Sequence, residues 1–589
     1  MRLSWRLWGA TVGTTLSGRY AYLDEQGDPE QIGANGTRFR WVRASDDGTG
    51  ETLTSGATLG TAQPYTVRAE DREHRLSYCI TPVATVAPAV GTEDCSLALT
   101  IGGAGLVWYV KPDAAVAGSG QSWTDAFPTL QDALAVARSG DRIWVATGVY
   151  RPDDSGDRTA SFVIPSGVAV YGGFAGDETT PEARDWRDRR TVLSGDLDGD
   201  DTAAAGVTQG CDGIVGSNSD HVVRTEGADS ATVLDGFTVT AGQSDADGGG
   251  WLNVNGAPTL TNLLFAGNRA GGAGGGMHSL GSPALANVAF VGNCATQPGS
   301  GFASAGGAPV LTNVSFSDNA AMAGGGAAFD GGATLVNALL WGDANGELAP
   351  GRASLTVAHS LIQACGGSAN WNSACGLDGG GNLDADPLLL DPAHGDLRPA
   401  SADSPLLDAG DMSVATGLDT DLAGNPRVQG TTIDIGAYER APPLVPPAGA
   451  KTVTGTAGDD RIEVTRGIVS VNGGAGDDIL GNAAGRQTLD GGPGADVFVY
   501  RDLSERGDIV TGFEPDRDRI DVSALLAKLG YTGTDPFGAG YLSLRASGSA
   551  DSAVYLDPDG AGKAAAVQLV LLRGVVPSQL HAANFIPAP

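Results

Sequence analysis

The sequence predicts an all-β chain in which short strands stack as parallel coils, and three observations carry that expectation. A short phrase returns three times at steps of 18 residues between positions 455 and 498. A longer block returns four times between positions 248 and 343, at steps of 25, 26 and 24. Glycine makes up 90 of the 589 residues while aromatics are held to 6%, the balance of a chain with many tight turns and few helices. One copy of such a repeat cannot bury its own apolar face, so successive copies must lie on one another.

The first segment, 10–100, reads as a β-sandwich. RYAYLD (Arg19–Asp24), RFRWVRA (Arg38–Ala44) and RLSYCI (Arg75–Ile80) alternate in polarity and are separated by DEQGDP and DDGTG turns, the spacing of short antiparallel strands. With Trp41 on a central strand and Cys79 on a later one, the stretch resembles bacterial immunoglobulin-like (Ig-like) modules, and that resemblance makes Trp41 a core residue. The opening MRLSWRLWGATVG is basic and apolar but shows no cleavage site, so no signal peptide is expected.

The second segment, 107–440, opens with a helix that carries Leu130, Ala133, Leu134 and Ala137 on one face, Pro128 in its first turn and Gly140 as its stop. An amphipathic helix ahead of repeating strands covers an edge that otherwise invites strand addition. TLTNLLFAGN, ALANVAFVGN, VLTNVSFSDN and TLVNALLWGD then align Asn262, Asn287, Asn313 and Asn337, with Phe265, Phe290 and Phe316 and a second set, Asn268, Asn293 and Asn319. The step suits one rung of a right-handed parallel β-helix. The Phe column is expected to fill it and the Asn columns to stack as amide ladders. With YGGFAGDE, LSGDLDGDD and the run from Asp384 to Glu439, this segment resembles bacterial surface β-helix proteins with varied anchoring tails, the choice-of-anchor group.

APPLVPPAGA, 441–450, reads as a proline-rich spacer. The 18-residue phrase follows in 451–500: GTAGDDRIE from Gly455, GGAGDDILG from Gly473 and GGPGADVFV from Gly491. Glycine holds at Gly458, Gly476 and Gly494, an acid at Asp460, Asp478 and Asp496, and an apolar residue two places on, at Ile462, Leu480 and Phe498. Glycines allow the positive φ of a tight turn and let carbonyl oxygens crowd one cation. The acid adds a hard oxygen that suits Ca²⁺. The phrase resembles the calcium-binding nonapeptide of RTX (hemolysin-type) proteins. That resemblance implies a parallel β-roll with metal at Asp460, Asp478, Asp496, Asp459 and Asp477 and at the glycines of each turn. Three stacked turns imply about two Ca²⁺ ions. The alternate phrases, VTRGIVSVN and NAAGRQTLD, have lost the acid, so the opposite side is expected to be largely without metal. The remainder, 501–589, with its G-F-x-x-x-x-D-x-I-D-like strand at Gly512–Asp521, resembles the C-terminal target domain of type I secretion substrates and implies that machinery as a partner.

Charge and cysteines narrow the function. A net charge of −33 with only four lysines leaves no clustered cations for nucleic acid. No apolar run reaches the length of a membrane span or a pore-forming segment. Cys79 with Cys95, and Cys365 with Cys375, bracket short loops and suit local disulfides in an oxidising space; Cys211 and Cys294 are left between bridge and free thiol. Asp196, Asp198, Asp200 and Asp201 could hold a further Ca²⁺, with Asp419–Asn425 a weaker case, against the alternative of plain Asx turns. No H-E-x-x-H signature is present, which removes the zinc protease. His278 should face outward beside Leu252 and Ala303 with no carboxylate or Arg in adjacent columns, a poor setting for acid–base chemistry, so no catalytic residue is assigned. Together these features predict a secreted, calcium-binding adhesin or structural surface or matrix protein, contacting polysaccharide or protein. The alternative is a polysaccharide lyase or epimerase.

Overall fold

The computed structural model describes 105–586 apart from 115–117, 205, 209, 323, 350–353, 393–394, 415–417, 448, 457, 465, 534 and 561–563. Before 105 it describes 15–17, 31, 37–44, 50–57, 64–68, 71, 75–83, 85, 90, 94–95 and 99–100. The chain divides into two compact units, Met1–Leu106 and Val107–Pro589.

In the first unit, Arg38–Ala44 lies between Gly50–Ala57 and Arg75–Thr81 in an antiparallel sheet, with Asp94–Cys95 and Leu99–Thr100 along the far side of Arg75–Thr81. Alternation puts Phe39 and Trp41 on one face, where Trp41 is 3% exposed and its ring lies 5.0 Å from Tyr78 and 5.9 Å from Tyr65. Beneath them Asp71 is fully buried, accepting from Arg43 Nε (2.9 Å) and the Tyr65 hydroxyl (2.7 Å), the pairing a buried carboxylate requires. Cys79 is disulfide-bonded and faces Cys95 in the register. The expected strand Arg19–Asp24 and the opening residues 1–13 lie outside the described residues.

The second unit is all-β and built of parallel coils. Its long sheet runs from Val107–Val110 through Arg142–Ala146, Ala169–Phe174, Val233–Thr240, Thr259–Ala266, Ala284–Val291 and Val310–Ser317 to Leu377–Asp378. A second sheet stacks Phe162–Val163, Val223–Glu226, Trp251–Val254, Met277–Ser279, Phe302–Ser304 and Ala327–Phe329; a third, narrow one stacks Gln243–Ser244, Arg269–Ala270, Cys294–Ala295 and Ala320–Ala321. The first helix spans Leu130–Val136, capped by Thr129, whose side chain accepts from the Asp132 N–H. It ends earlier than the glycine signal suggested: Ala137 is already extended, and Gly140 turns the chain three residues later with φ +87°. Buried Leu130, Ala133 and Leu134 set the helix against Val107–Val110 and Phe162–Val163.

Inside the rod, Phe265, Phe290 and Phe316 stack at 4.9 and 4.7 Å, nearly parallel, a favourable offset geometry. The two Asn columns divide the work. Asn262, Asn287, Asn313 and Asn337 adopt φ of 52 to 55°, a left-handed bend that Asn tolerates better than other non-glycine residues. Asn268, Asn293 and Asn319 form the continuous ladder, each Nδ2 donating to the next Oδ1 at 2.9 Å, and Asp343 terminates it.

Cys211 is bridged to Cys294 across 83 residues and Cys365 to Cys375 across 10; no cysteine among the described residues is free. The Cys211 bridge pins a surface loop to the third sheet. Cys294→Ser is therefore expected to cost about 3 kcal/mol, read as a fall in the rod's melting temperature that reductant reproduces in the parent protein.

After the last rung the chain returns along the outside of the long sheet. Thr420 O accepts from Asn287 Nδ2 (2.7 Å), Leu422 O from Trp186 Nε1 (3.0 Å), and the Ala437 N–H donates to Ser315 Oγ (3.0 Å). Leu397, Leu422 and Ala437 cover Ala289 and Val291. Pro443–Leu444, inside the proline-rich segment, is already the first strand of the terminal roll. There it pairs with Arg461–Glu463, followed by Ile479–Gly481, Val497–Val499, Arg519–Asp521 and Phe585–Ile586. The facing sheet stacks Thr452–Thr454, Ser470–Asn472, Thr488–Asp490 and Asp508–Thr511, then Val567–Leu572 and the antiparallel Asp551–Leu556 and Leu542–Ser547. Ile462, Leu480, Phe498 and Ile520 point inward from one sheet, Val453, Val471, Leu489 and Val510 from the other.

Candidate metal centre

Each coil of the roll passes between its two sheets at two edges. At the first edge, turns 473–478 and 491–496 lead into Ile479–Gly481 and Val497–Val499. An Asp occupies the last place of each turn because one carboxylate oxygen there reaches the backbone of the coil before it. The Asp460 N–H donates to Asp478 Oδ1 (2.7 Å), the Asp478 N–H to Asp496 Oδ1 (2.9 Å), and the Asp496 N–H to Asp518 Oδ1 (3.0 Å). The carboxylates thus stack on one edge, one per coil.

Their second oxygens decide what the column can do. Asp478 and Asp496 are fully buried, and the Oδ2 of each has no hydrogen-bond partner. A Cβ at Gly473 would collide with the Asp478 carboxylate, and one at Gly491 with that of Asp496, so these two glycines are needed for the carboxylate to fold back under its own turn. Gly476 and Gly494, with φ of +103 and +150°, complete turns that side chains adopt only with strain. The first turn differs: Asp460 Oδ2 is taken by the N–H and hydroxyl of Thr456, which stands where the later turns have Gly474 and Gly492. The open pair is therefore Asp478 with Asp496.

Electrostatics make that pair unstable by itself. Burial, with the charges of Asp496 and Asp460, pushes the Asp478 carboxyl up to about 9. Burial and Asp518 push Asp496 up to about 8. Asp518, buried beside Glu514, rises to about 7. Stranded buried carboxylates are costly unless protonated or matched by a cation. A set of hard, closely stacked oxygens among glycine carbonyls fits Ca²⁺; the residues that would hold it are Asp478 and Asp496, with Asp460 and Asp518 flanking.

Asp518 was not singled out from the sequence. Its step is 22 residues rather than 18, yet it keeps the signal of an acid followed two places later by an apolar residue, Ile520. Asp459 and Asp477 form a separate column: the Asp477 N–H donates to Asp459 Oδ1 (2.8 Å), and the Ala495 N–H to Asp477 Oδ1 (2.7 Å). Asp459 meets Asn425 Nδ2 at 3.0 Å and Arg187 at 3.9 Å, so this column faces the returning strap. Arg398 donates to Asp477 O (2.6 Å) and pairs with Asp396, and Arg519 with Asp391 and Asp396 at 2.6 and 2.7 Å, tying roll to strap.

Elsewhere, Asp196, Asp200 and Asp201 bring carboxylate oxygens within 4.8 Å of one another, while Asp198 accepts from the Ser217 N–H (3.0 Å). In Asp419–Asn425, both oxygens of Asp421 are taken by backbone N–H groups of Asn425 and Glu439 at 2.7 Å, a hydrogen-bonded turn. His278 lies between Leu252 and Ala303 as expected, but it is buried rather than outward-facing, Arg224 stands in register two rungs away, and a carboxylate lies beside it. Asp247, in the glycine-rich corner that folds back over the sheet, brings Oδ2 to 3.8 Å from His278 Nε2, and Asp330 and His221 also act on the ring. Burial nevertheless lowers the His278 pKa and leaves the side chain 6% exposed.

No protein-family model and no curated protein matches the chain. Among solved structures, the chain is similar to the AlgE6R3 subunit of the Azotobacter vinelandii mannuronan C5-epimerase, at 31% identity over 24% of this chain and 81% of that one, with a TM-score of 0.19. Among the described residues no helix is long and apolar enough to cross a membrane, and the disulfides accord with an extracellular setting.

Proposed function

We propose that this is a secreted, RTX-type calcium-binding protein whose terminal roll closes on Ca²⁺ outside the cell, and that it works as an adhesin or structural component of the cell surface or matrix. The observation that carries the reading is the pair of buried, unpartnered carboxylate oxygens of Asp478 and Asp496 in adjacent coils. A site that exists only in the folded chain links metal binding to folding. Where Ca²⁺ is scarce, the acidic turns repel and the segment stays open, as export through a type I secretion machine requires. Where Ca²⁺ reaches the roughly 10⁻⁴–10⁻³ M range of extracellular modules, the coils close. The parallel faces of the rod and the N-terminal module then serve as contact surface for polysaccharide or protein.

Limited proteolysis of the full chain tests this. Chelator is expected to expose cleavage sites within 443–586 and added Ca²⁺ to remove them; digestion patterns that ignore Ca²⁺ would overturn the reading. The lyase or epimerase alternative has its best-placed residue in His278, and a ring this enclosed does not reach a polymer lying on the rod. Incubation with acidic polysaccharides is accordingly expected to yield neither unsaturated ends nor epimerised sugar residues; either product would favour the enzyme.

A further inference from the structure

The second edge of the roll is the one from which the acids have been lost, yet it repeats the contact that defines the first. Turn 482–487 runs into Thr488–Asp490, and turn 500–507 into Asp508–Thr511. Gln487 stands just ahead of its strand as Asp478 does, and its N–H donates to Asp508 Oδ1 at 2.7 Å, the counterpart of the Asp478-to-Asp496 bond. As on the first edge, the other carboxylate oxygen, Asp508 Oδ2, is buried without a partner.

Three more buried oxygens are stranded with it: Gln487 Oε1, Asn482 Oδ1 and Tyr500 Oη. The four residues are between 0 and 4% exposed. Both amides have a fixed orientation, since Asn482 Nδ2 donates to Val499 O (3.2 Å) and Gln487 Nε2 to Ala483 O (3.1 Å). The Tyr500 hydroxyl lies beside both the Asn482 amide and the Asp508 carboxylate. Arg486 and Glu505 are the side-chain charges that act on Asp508 from the adjoining turns. The phenol proton can satisfy one of the other three oxygens; those left over each cost about 1–3 kcal/mol when buried. A hard cation lying among them would satisfy those left over, and oxygen-only donors of mixed charge are what Ca²⁺ accepts.

We propose that Asn482, Gln487, Tyr500 and Asp508 form a second-edge cation site that takes Ca²⁺ through one carboxylate and three neutral oxygens. With fewer charges it binds more weakly than the first edge, and it stands whether or not the Asp478–Asp496 column is loaded.

Ca²⁺ counted by equilibrium dialysis on the full chain tests it, with Tb³⁺ as a luminescent substitute. Asp508→Asn is expected to lose one bound Ca²⁺, and Tyr500→Phe to lose the part of the Tb³⁺ emission sensitised by that ring. If Asp508→Asn fails to fold, Gln487→Glu keeps the test open. In a cation site the added carboxylate tightens Ca²⁺ binding about tenfold or more, and in a metal-free pocket it lowers the melting temperature with and without Ca²⁺ alike. An unchanged ion count in Asp508→Asn, or Gln487→Glu destabilised regardless of Ca²⁺, overturns the proposal. Loss of an ion in Asp478→Asn with none lost in Asp508→Asn supports the first edge alone and likewise overturns it.

Discussion

In a chelating buffer the roll is expected to lose stability as pH rises from about 5 to about 9, and in Ca²⁺ to gain it over the same range. The cause is the buried column. Asp518, Asp496 and Asp478 titrate near 7, 8 and 9 in the fold against 3.8 for an ordinary Asp. A folded value above the unfolded one means that the protonated form stabilises the fold. The contribution is complete below about pH 4 and is lost as pH climbs through the folded values, on the order of several kcal/mol over the three groups. Asp396, held down to about 2 by Arg398 and Arg519 against its burial, acts in the opposite sense, but only below about pH 4. Ca²⁺ takes the place of those protons, and since a metal ion needs the deprotonated ligand, its stabilisation grows where the protons' fades. Calorimetry of the full chain in the two buffers should give curves of opposite slope for the transition assigned to 443–586. Parallel curves would remove the basis for a cation in the column.

The second large effect lies in the rod. Asn293 is fully buried and its side chain makes five hydrogen bonds: it accepts from the N–H and Nδ2 of Asn268, and donates to Phe265 O, Val291 O and Asn319 Oδ1. Leu has nearly the same size and none of these groups. Asn293→Leu therefore strands backbone donors and acceptors in the interior and is expected to cost about 3–5 kcal/mol. Asn262 aligns as well in the repeat but bonds only Asp235 and Asn287 through its side chain; Asn262→Ala should cost about 1–2 kcal/mol, mostly for its left-handed φ. Chemical unfolding of the two variants ranks them, and equal losses would mean that the ladder is not what holds successive rungs together.

That contrast marks where the sequence was legible. A recurring Asn shows that a position is constrained, but a left-handed bend and an interior ladder leave the same mark. The Phe column was readable because apolar residues repeating at the rung step have one place to go. His278 was placed on the correct strand, yet its carboxylate neighbour arrives from a glycine-rich corner, and the path of such a corner is not encoded in periodicity. The strap of 384–440 was equally hidden, since it follows no repeat and gains its order only from the outer face it covers.

By itself the sequence determined the coil: steps near 25 and of 18, apolar residues that must face inward, and turns in which glycine precedes an acid. These are local or strictly periodic, so one chain read in order contains them. Tertiary structure alone decided which oxygens go without a partner. Asp460, Asp478 and Gln487 hold equivalent places, but Thr456 satisfies the first, while burial between coils leaves Asp478 Oδ2 and Gln487 Oε1 with no donor. Whether an oxygen needs a cation depends on everything packed around it, and most of those neighbours are a full coil or more away in the chain.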